Sequence, residues 1–287
     1  MTATAGGGRR VGSARLVGVS SVPVEPPTVS PPTAPATLAA TRDGVPERGE
    51  LPKYFQVKQK IDAVLDELGQ GATLPTEREF AERFGVSRMT VRQAIRELRL
   101  EGRVQRSGRA TVTAGPKLVQ PLLLASYTEG VRRQGRRPGR QLVVFERLAA
   151  DTTLAAGLRI EVGEPVFHLE RLLLADEERV GLESTYLSVE RFPDLTAEFD
   201  PSTSLYAYLR TTGVALVDAD ERIETVLASP REVQLIGTSP ALPMLLMNRV
   251  TRDHDGRPVE CVRSLFRGDR FSFTAHLRAE GPSSPRP

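Results

Sequence analysis

Cysteine and histidine are scarce in this chain: among 287 residues there are one cysteine, Cys261, and three histidines. A single cysteine excludes an internal disulfide and any multi-cysteine metal site. Cys261 lies in an apolar-alternating run and reads as a small buried residue. His168, His254 and His276 show no helical or strand spacing to a cysteine or acid, so neither a metal site nor a cofactor is expected. No Gly-x-Ser-x-Gly elbow and no phosphate-cradling glycine-rich loop occurs. No uninterrupted apolar run reaches about 18 residues, so no membrane span is expected. No secretory apolar run follows Arg9 and Arg10, and the chain reads as cytoplasmic. Net charge is low as well, +3 from 39 Lys/Arg and 36 Asp/Glu. That charge is unevenly placed. Residues 51–113 hold twelve Lys/Arg against eight Asp/Glu, net +4, which leaves the remainder close to neutral.

The composition also divides the chain. Residues 1–50 are rich in Gly, Pro, Ser, Thr and Ala and too poor in bulky apolar residues to offset the entropy of ordering, so a disordered tail is expected. A transit peptide and a misplaced start are the alternatives there. Residues 51–113 form a first domain, 114–121 a linker around Gly115-Pro116, 122–278 a second domain, and 279–287 a second disordered tail.

The first domain is organised around residues 74–111. Thr76 and Glu79 form a capping box that opens a short helix ending at Gly85. Ser87 then caps a second helix whose Val91, Ile95 and Leu98 recur at helical spacing. Two helices joined by a tight turn are a helix-turn-helix, and residues 54–68 supply the third helix of its core. Residues 103–113, turning at Ser107-Gly108-Arg109, read as a hairpin, the wing. Arg88, Arg92, Arg96 and Arg99 line one stripe of the second helix. Together with Ser87 and Thr90 at its start, the stripe suits a helix entering the DNA major groove end-on. A solvated face paired to Glu97 and Glu101 is the plain alternative for the arginines taken alone.

The run Leu74-Pro75-Thr76-Glu77-Arg78-Glu79 with Gly85-Val86-Ser87-Arg88-Met89-Thr90-Val91-Arg92 resembles the winged helix of GntR-family bacterial transcription regulators. The resemblance implies DNA contacts by Arg78, Arg88, Thr90 and Arg92, with Gly108 at the wing tip; Ser87 at the start of the second helix and Arg109 in the wing turn join them as candidate DNA-binding residues by position. The family's second wing glycine is here Ala110, which weakens the expectation for the wing.

The second domain reads as α+β, with an antiparallel sheet. Strands are expected at 141–148, 165–174, 179–189, 220–228, 243–252, 258–266 and 270–277, and helices at 127–134, 151–158, 203–210 and 230–236. It contains a repeat: helix, Pro165, strand to Arg171, acidic turn and Glu183 recur as helix, Pro243, strand to Arg249, acidic turn and Glu260. Pro165/Pro243 and Arg171/Arg249 are both 78 positions apart, which predicts two units building one sheet around a shared cleft.

Ser126-Tyr127-Thr128-Glu129, Arg171-Leu172-Leu173, Ser204-Leu205-Tyr206, Pro258-Val259-Glu260 and 263–270 resemble the UTRA effector domain of the HutC subfamily. This implies a chorismate-lyase-like fold that senses a small molecule. An effector site of Ser126, Arg171, Ser204, Tyr206 and Glu260 is expected, with the serines and Arg171 holding an anion. The plain alternatives are Arg171 paired with Glu183 or Glu260, and the serines acting only as caps. Amino-sugar-phosphate-responsive members carry Arg-x-Arg where this chain has Arg171-Leu172-Leu173, and a late tyrosine where it has Phe266. The expectation is therefore a homodimeric, ligand-responsive regulator, a repressor, on a palindromic operator of double-stranded DNA, with a small anionic effector. The alternative is a lyase-like enzyme fused to a DNA-binding domain.

Overall fold

The computed structural model describes residues 51–277, and both expected disordered tails lie outside the described residues. The first domain is α1 (Lys53–Leu68), α2 (Glu77–Phe84), α3 (Arg88–Leu100), β1 (Val104–Ser107) and β2 (Ala110–Thr113). Each boundary has a local cause. Thr76 accepts the Glu79 amide while the Glu79 carboxylate takes the Thr76 amide at 2.7 Å, and Gly85 closes α2 in the left-handed conformation. Ser87 caps α3 through the Thr90 amide. The three helices bury Val57, Ile61, Leu65, Phe80, Val91, Ala94, Ile95 and Leu98 against one another and against Val104 of the wing. The wing turns on Gly108 and Arg109, with Gly108 at φ 59 and Ser107 paired to Ala110. A glycine at the first of two turn residues is what a tight hairpin of this hand requires. Ala110 is the first paired residue of β2, so the hairpin closes without a second glycine.

The second domain runs β3 (Leu118–Pro121), α4 (Tyr127–Arg133), β4 (Pro138–Ala149), α5 (Thr152–Leu158), β5 (Pro165–Ala175), β6 (Glu178–Ser188), α6 (Leu195–Glu198), α7 (Leu205–Thr211), β7 (Leu216–Leu227), α8 (Pro230–Ile236), β8 (Pro243–Asp253), β9 (Pro258–Arg267) and β10 (Phe271–Thr274). Six strands form one antiparallel sheet in the order β4-β5-β6-β9-β8-β7. That order reads the same from either edge if β4, β5 and β6 are matched with β7, β8 and β9. The repeat is thus the architecture of the sheet. Its 78-residue spacing extends to Ser126/Ser204 and Asp151/Ser229, all four of which cap helices.

The two glutamates of the repeat are not equivalent. Glu183 lies directly opposite Arg171, whereas Val262 lies opposite Arg249 and Glu260 opposite Thr251. The β5–β6 turn has two residues and the β8–β9 turn has four, which changes what each arginine meets across the strand.

The segment 114–121, expected as a linker, contains β3, which pairs in parallel with β10 from the far end of the chain. Four residues that end on Pro121 carry little strand signal of their own, and the partner lies about 150 residues away. The strand expected at 270–277 is correspondingly shorter, ending at Thr274. The short helix α6 was not expected either. It packs Leu195 under Phe167, Leu187 and Phe199.

Candidate functional site

The DNA-facing surface follows from how α3 is buried. Val91, Ala94, Ile95 and Leu98 face the core, which turns Arg88, Arg92, Arg96 and Arg99 to solvent. Arg106 and Arg109 on the wing are exposed too. Not every expected contact is free. Ser87 is occupied as a cap, and its hydroxyl and that of Thr90 lie 2.9 Å apart. Arg92 donates to both carboxylate oxygens of Glu77 at 2.8–3.2 Å, a contact that raises the pKa of its guanidinium above the ordinary value. Arg78 lies 3.7 Å from Glu82, an exposed pair one turn along α2. Arg88, at the first position of α3, forms no ion pair among the described residues. The sequence reading passed over Met89, which is 65% exposed at the second position of α3. A bare apolar side chain there suits a thymine methyl, and exposure is the only signal that could have marked it.

In the second domain Ser126, Arg171, Ser204, Tyr206 and Glu260 all line one cavity between the sheet, β3 and β10. The space inside it, counted out into its open mouth, is about 710 Å³. Arg171 is 2% exposed and tied down: it donates to Glu183 at 2.7 Å and to the Thr203 carbonyl at 3.1 Å. The pairing left open between Glu183 and Glu260 falls to Glu183. Glu260 instead accepts the Tyr206 hydroxyl at 2.6 Å and the Thr251 hydroxyl at 3.0 Å. Burial pushes its carboxyl above the usual range, against the lowering effect of the Tyr206 bond. Ser126 and Ser204 each accept a backbone amide as helix caps while lining the cavity.

Two arginines that were not expected in the site complete it. Arg249 pairs with Glu221 at 2.7 Å and reaches the Tyr206 hydroxyl at 3.3 Å. Arg140, on β4, donates to the Thr128 hydroxyl at 2.7 Å and lies over the Tyr127 ring, 5.5 Å from its centroid. It has no carboxylate within ion-pair distance among the described residues. Its Nε, like that of Arg171, is buried without a hydrogen-bond partner. Burial lowers the Arg140 guanidinium to about 10, so it stays charged at neutral pH. Arg140 lies directly opposite Leu173 in the register. Arg140 thus sets a guanidinium on the adjacent strand beside the third position of Arg171-Leu172-Leu173. Sequence reading missed it because Arg140 ends a charged run, Arg136-Arg137-Pro138-Gly139-Arg140, that looks like a solvated turn. The opposite wall is aromatic: Phe266 stacks on Phe271 at 4.1 Å, with Phe273 5.1 Å from Phe271.

A basic winged helix joined to a domain built around a charged cavity defines a DNA-binding regulator with a ligand-binding half. The comparisons with known proteins agree. Residues 53–113 match the family described as bacterial regulatory proteins, gntR family, and residues 133–272 match the UTRA domain. The chain is 47% identical over 228 residues to the HTH-type transcriptional repressor PhnF of Mycolicibacterium smegmatis, covering 79% of this chain and 93% of that protein. It is 31% identical over 236 residues to the HTH-type transcriptional repressor NagR of Bacillus subtilis, covering 80% and 97%. The crystal structure of PhnF from Mycobacterium smegmatis superposes with a TM-score of 0.59 at 48% identity, covering 78% of this chain and all of that one. The chain belongs to the GntR family of bacterial transcription regulators, in the branch that carries a UTRA domain. The alternative of a lyase-like enzyme falls with that assignment. No described helix is long and apolar enough to cross a membrane.

Proposed function

We propose that the protein is a cytoplasmic, homodimeric repressor whose hold on a palindromic operator changes when a small anionic metabolite enters the UTRA cavity. Repression is carried over from PhnF and NagR, which are named as repressors. Dimerisation follows from the size of a winged helix, which reads only half a site and gains useful affinity from a second copy on a two-fold axis. The DNA contacts proposed are Arg78, Ser87, Arg88, Thr90, Arg92, Gly108 and Arg109. The effector contacts proposed are Ser126, Arg171, Ser204, Tyr206 and Glu260, with Arg140 added to them.

The observation that carries the effector class is Arg140. A charged guanidinium beside a cavity, with one buried N–H unpartnered and no carboxylate within ion-pair distance among the described residues, is costly unless an anion arrives. Arg171 and Arg249 already have carboxylate partners, so their charge is largely cancelled before any ligand binds. The metabolite fitted by these groups is a phosphate or carboxylate bearing hydroxyls, with Glu260 and Tyr206 for its polar end and Phe266 and Phe271 for its apolar side.

A thermal-shift screen of the full chain against phosphosugars and hydroxycarboxylates, run beside Arg140→Met, tests this. A true effector at 100 times its Kd stabilises the native state by about 2.7 kcal/mol. Loss of one charge-assisted partner in Arg140→Met should weaken that ligand more than tenfold. A ligand bound equally well by both proteins would remove Arg140 from the site and the anion from the proposal.

A further inference from the structure

The ten residues 265–274 touch both halves of the molecule. At one end Phe266, Phe271 and Phe273 form the aromatic wall of the cavity. Between them, residues 268–270 form the surface on which the winged helix rests. Gly102, at φ 78 just past α3, lies so close to Asp269 that a Cβ there would stand 2.1 Å from the Asp269 carbonyl oxygen. Arg270 is 4% exposed and donates to the Gln105 side chain on β1 at 2.6 Å and to Glu178 at 2.7 Å. Lys117 reaches the Gly268 carbonyl at 2.7 Å, and Leu118 opens the β3–β10 ribbon by donating to the Arg270 carbonyl at 2.9 Å. Asp269 is held in turn by both nitrogens of an Arg267 fork, at 2.7 and 3.0 Å.

Arg270 and Phe271 are covalent neighbours. One is bonded to the wing and the other lines the cavity, so a displacement of the β10 backbone at Phe271 passes directly to Arg270. Leu100 adds an apolar contact to the sheet cluster of Leu172 and Leu265. Such contacts shift only as far as a ligand binds their two arrangements unequally.

We propose that residues 267–273 are the coupling element between cavity and winged helix, with Arg270 and Gln105 as its positioning residues. Filling the cavity moves Phe271 and Phe273, and the Arg270–Gln105 and Asp269–Gly102 contacts open or tighten with them. The proposal deepens the reading of the protein as effector-responsive. Its test uses neither effector nor operator, so the coupling can fail while that reading stands.

The test is hydrogen–deuterium exchange on the full chain, reading the wing (residues 101–113) against the central hairpin (165–188) to cancel global opening. Gln105→Ala, which removes one charge-assisted bond, should speed wing exchange by about tenfold and loosen residues 268–274 as well, since coupling is reciprocal. Phe273→Ala changes only the cavity end, yet should speed wing exchange in the same direction. Phe273→Leu serves if the alanine variant does not fold. Val262→Ala, which truncates a cavity-lining side chain on β9 outside the cluster of Phe266, Phe271 and Phe273, should leave the wing unchanged. Wing exchange that stays at the wild-type rate in the Phe273 variants, or that rises equally in Val262→Ala, would overturn the proposal.

Discussion

The two domains treat arginine in opposite ways. In the winged helix, Arg88, Arg92, Arg96 and Arg99 stand in solvent, and the one strong contact in that row, Arg92 to Glu77, is itself exposed. In the UTRA domain, Arg171 and Arg270 are 2% and 4% exposed and bonded on several sides. The difference reflects the partner each surface meets. DNA brings a dense line of phosphates from solution, so its arginines must be hydrated, mobile and cheap to redirect. A small ligand or a domain contact offers few charges, so its arginines must be held in place before they are used. Exposed arginines should therefore govern DNA affinity without affecting stability. Buried ones should do the reverse.

The largest expected effect breaks the buried side of that contrast. Arg171→Ala strips Glu183 of its partner inside the fold and should cost about 3–5 kcal/mol of unfolding free energy, read by urea denaturation. A loss below about 1 kcal/mol would mean that the buried arginine is no more structural than an exposed one. Next come Arg88→Ala and Arg92→Ala. Each should weaken binding to an operator selected from random DNA by roughly 10- to 100-fold at fixed salt, while the melting temperature stays where it was. Unchanged affinity in both variants would remove α3 from the groove.

A smaller effect separates burial from pairing. Burial raises the Glu260 carboxyl above its ordinary value of 4.5. Between the ordinary and the folded value the native chain binds more protons than the unfolded one, so this group lowers stability as pH rises through that window. Glu260→Gln lacks the titration and keeps an oxygen that can accept from Tyr206 and Thr251. Its melting temperature should exceed the wild type's above the window and approach it below pH 4.5, as a pH series of thermal melts would show. A gain independent of pH would place the cost elsewhere. The smallest effect expected is at the wing, where Arg109→Ala should lower the slope of log affinity against log salt by about one and leave operator preference alone. A changed preference would make the wing a reader of bases.

The first domain was legible nearly residue by residue because its signals are local. The Thr76–Glu79 box, Gly85, Ser87 and the glycine of the wing each act within four residues of themselves, and the structure uses every one. The repeat was legible as well, since Pro165/Pro243 and Arg171/Arg249 recur at one spacing. What the repeat hid is informative: equal spacing in sequence suggested that Glu183 and Glu260 were counterparts, and one difference in turn length made them unlike.

Local chemistry thus determined every helix but α6, their caps and the basic face of α3, while the grouping of Ser126, Arg171, Ser204, Tyr206 and Glu260 in one cavity came from the resemblance of their motifs to the UTRA domain. Which of those groups is already neutralised was decided only in three dimensions. Arg171 took Glu183 because β5 and β6 set them opposite each other, Glu260 took Tyr206 from a helix 54 residues away, and Arg140 entered through the register of β4. The pairing of β3 with β10, which carries the cavity wall to the winged helix, joins segments about 150 residues apart. Caps and turns depend on neighbours that the chain cannot move, so the sequence states them outright. Ion pairs and edge strands depend on whichever groups the finished sheet brings within a few ångströms, and that is a property of the fold.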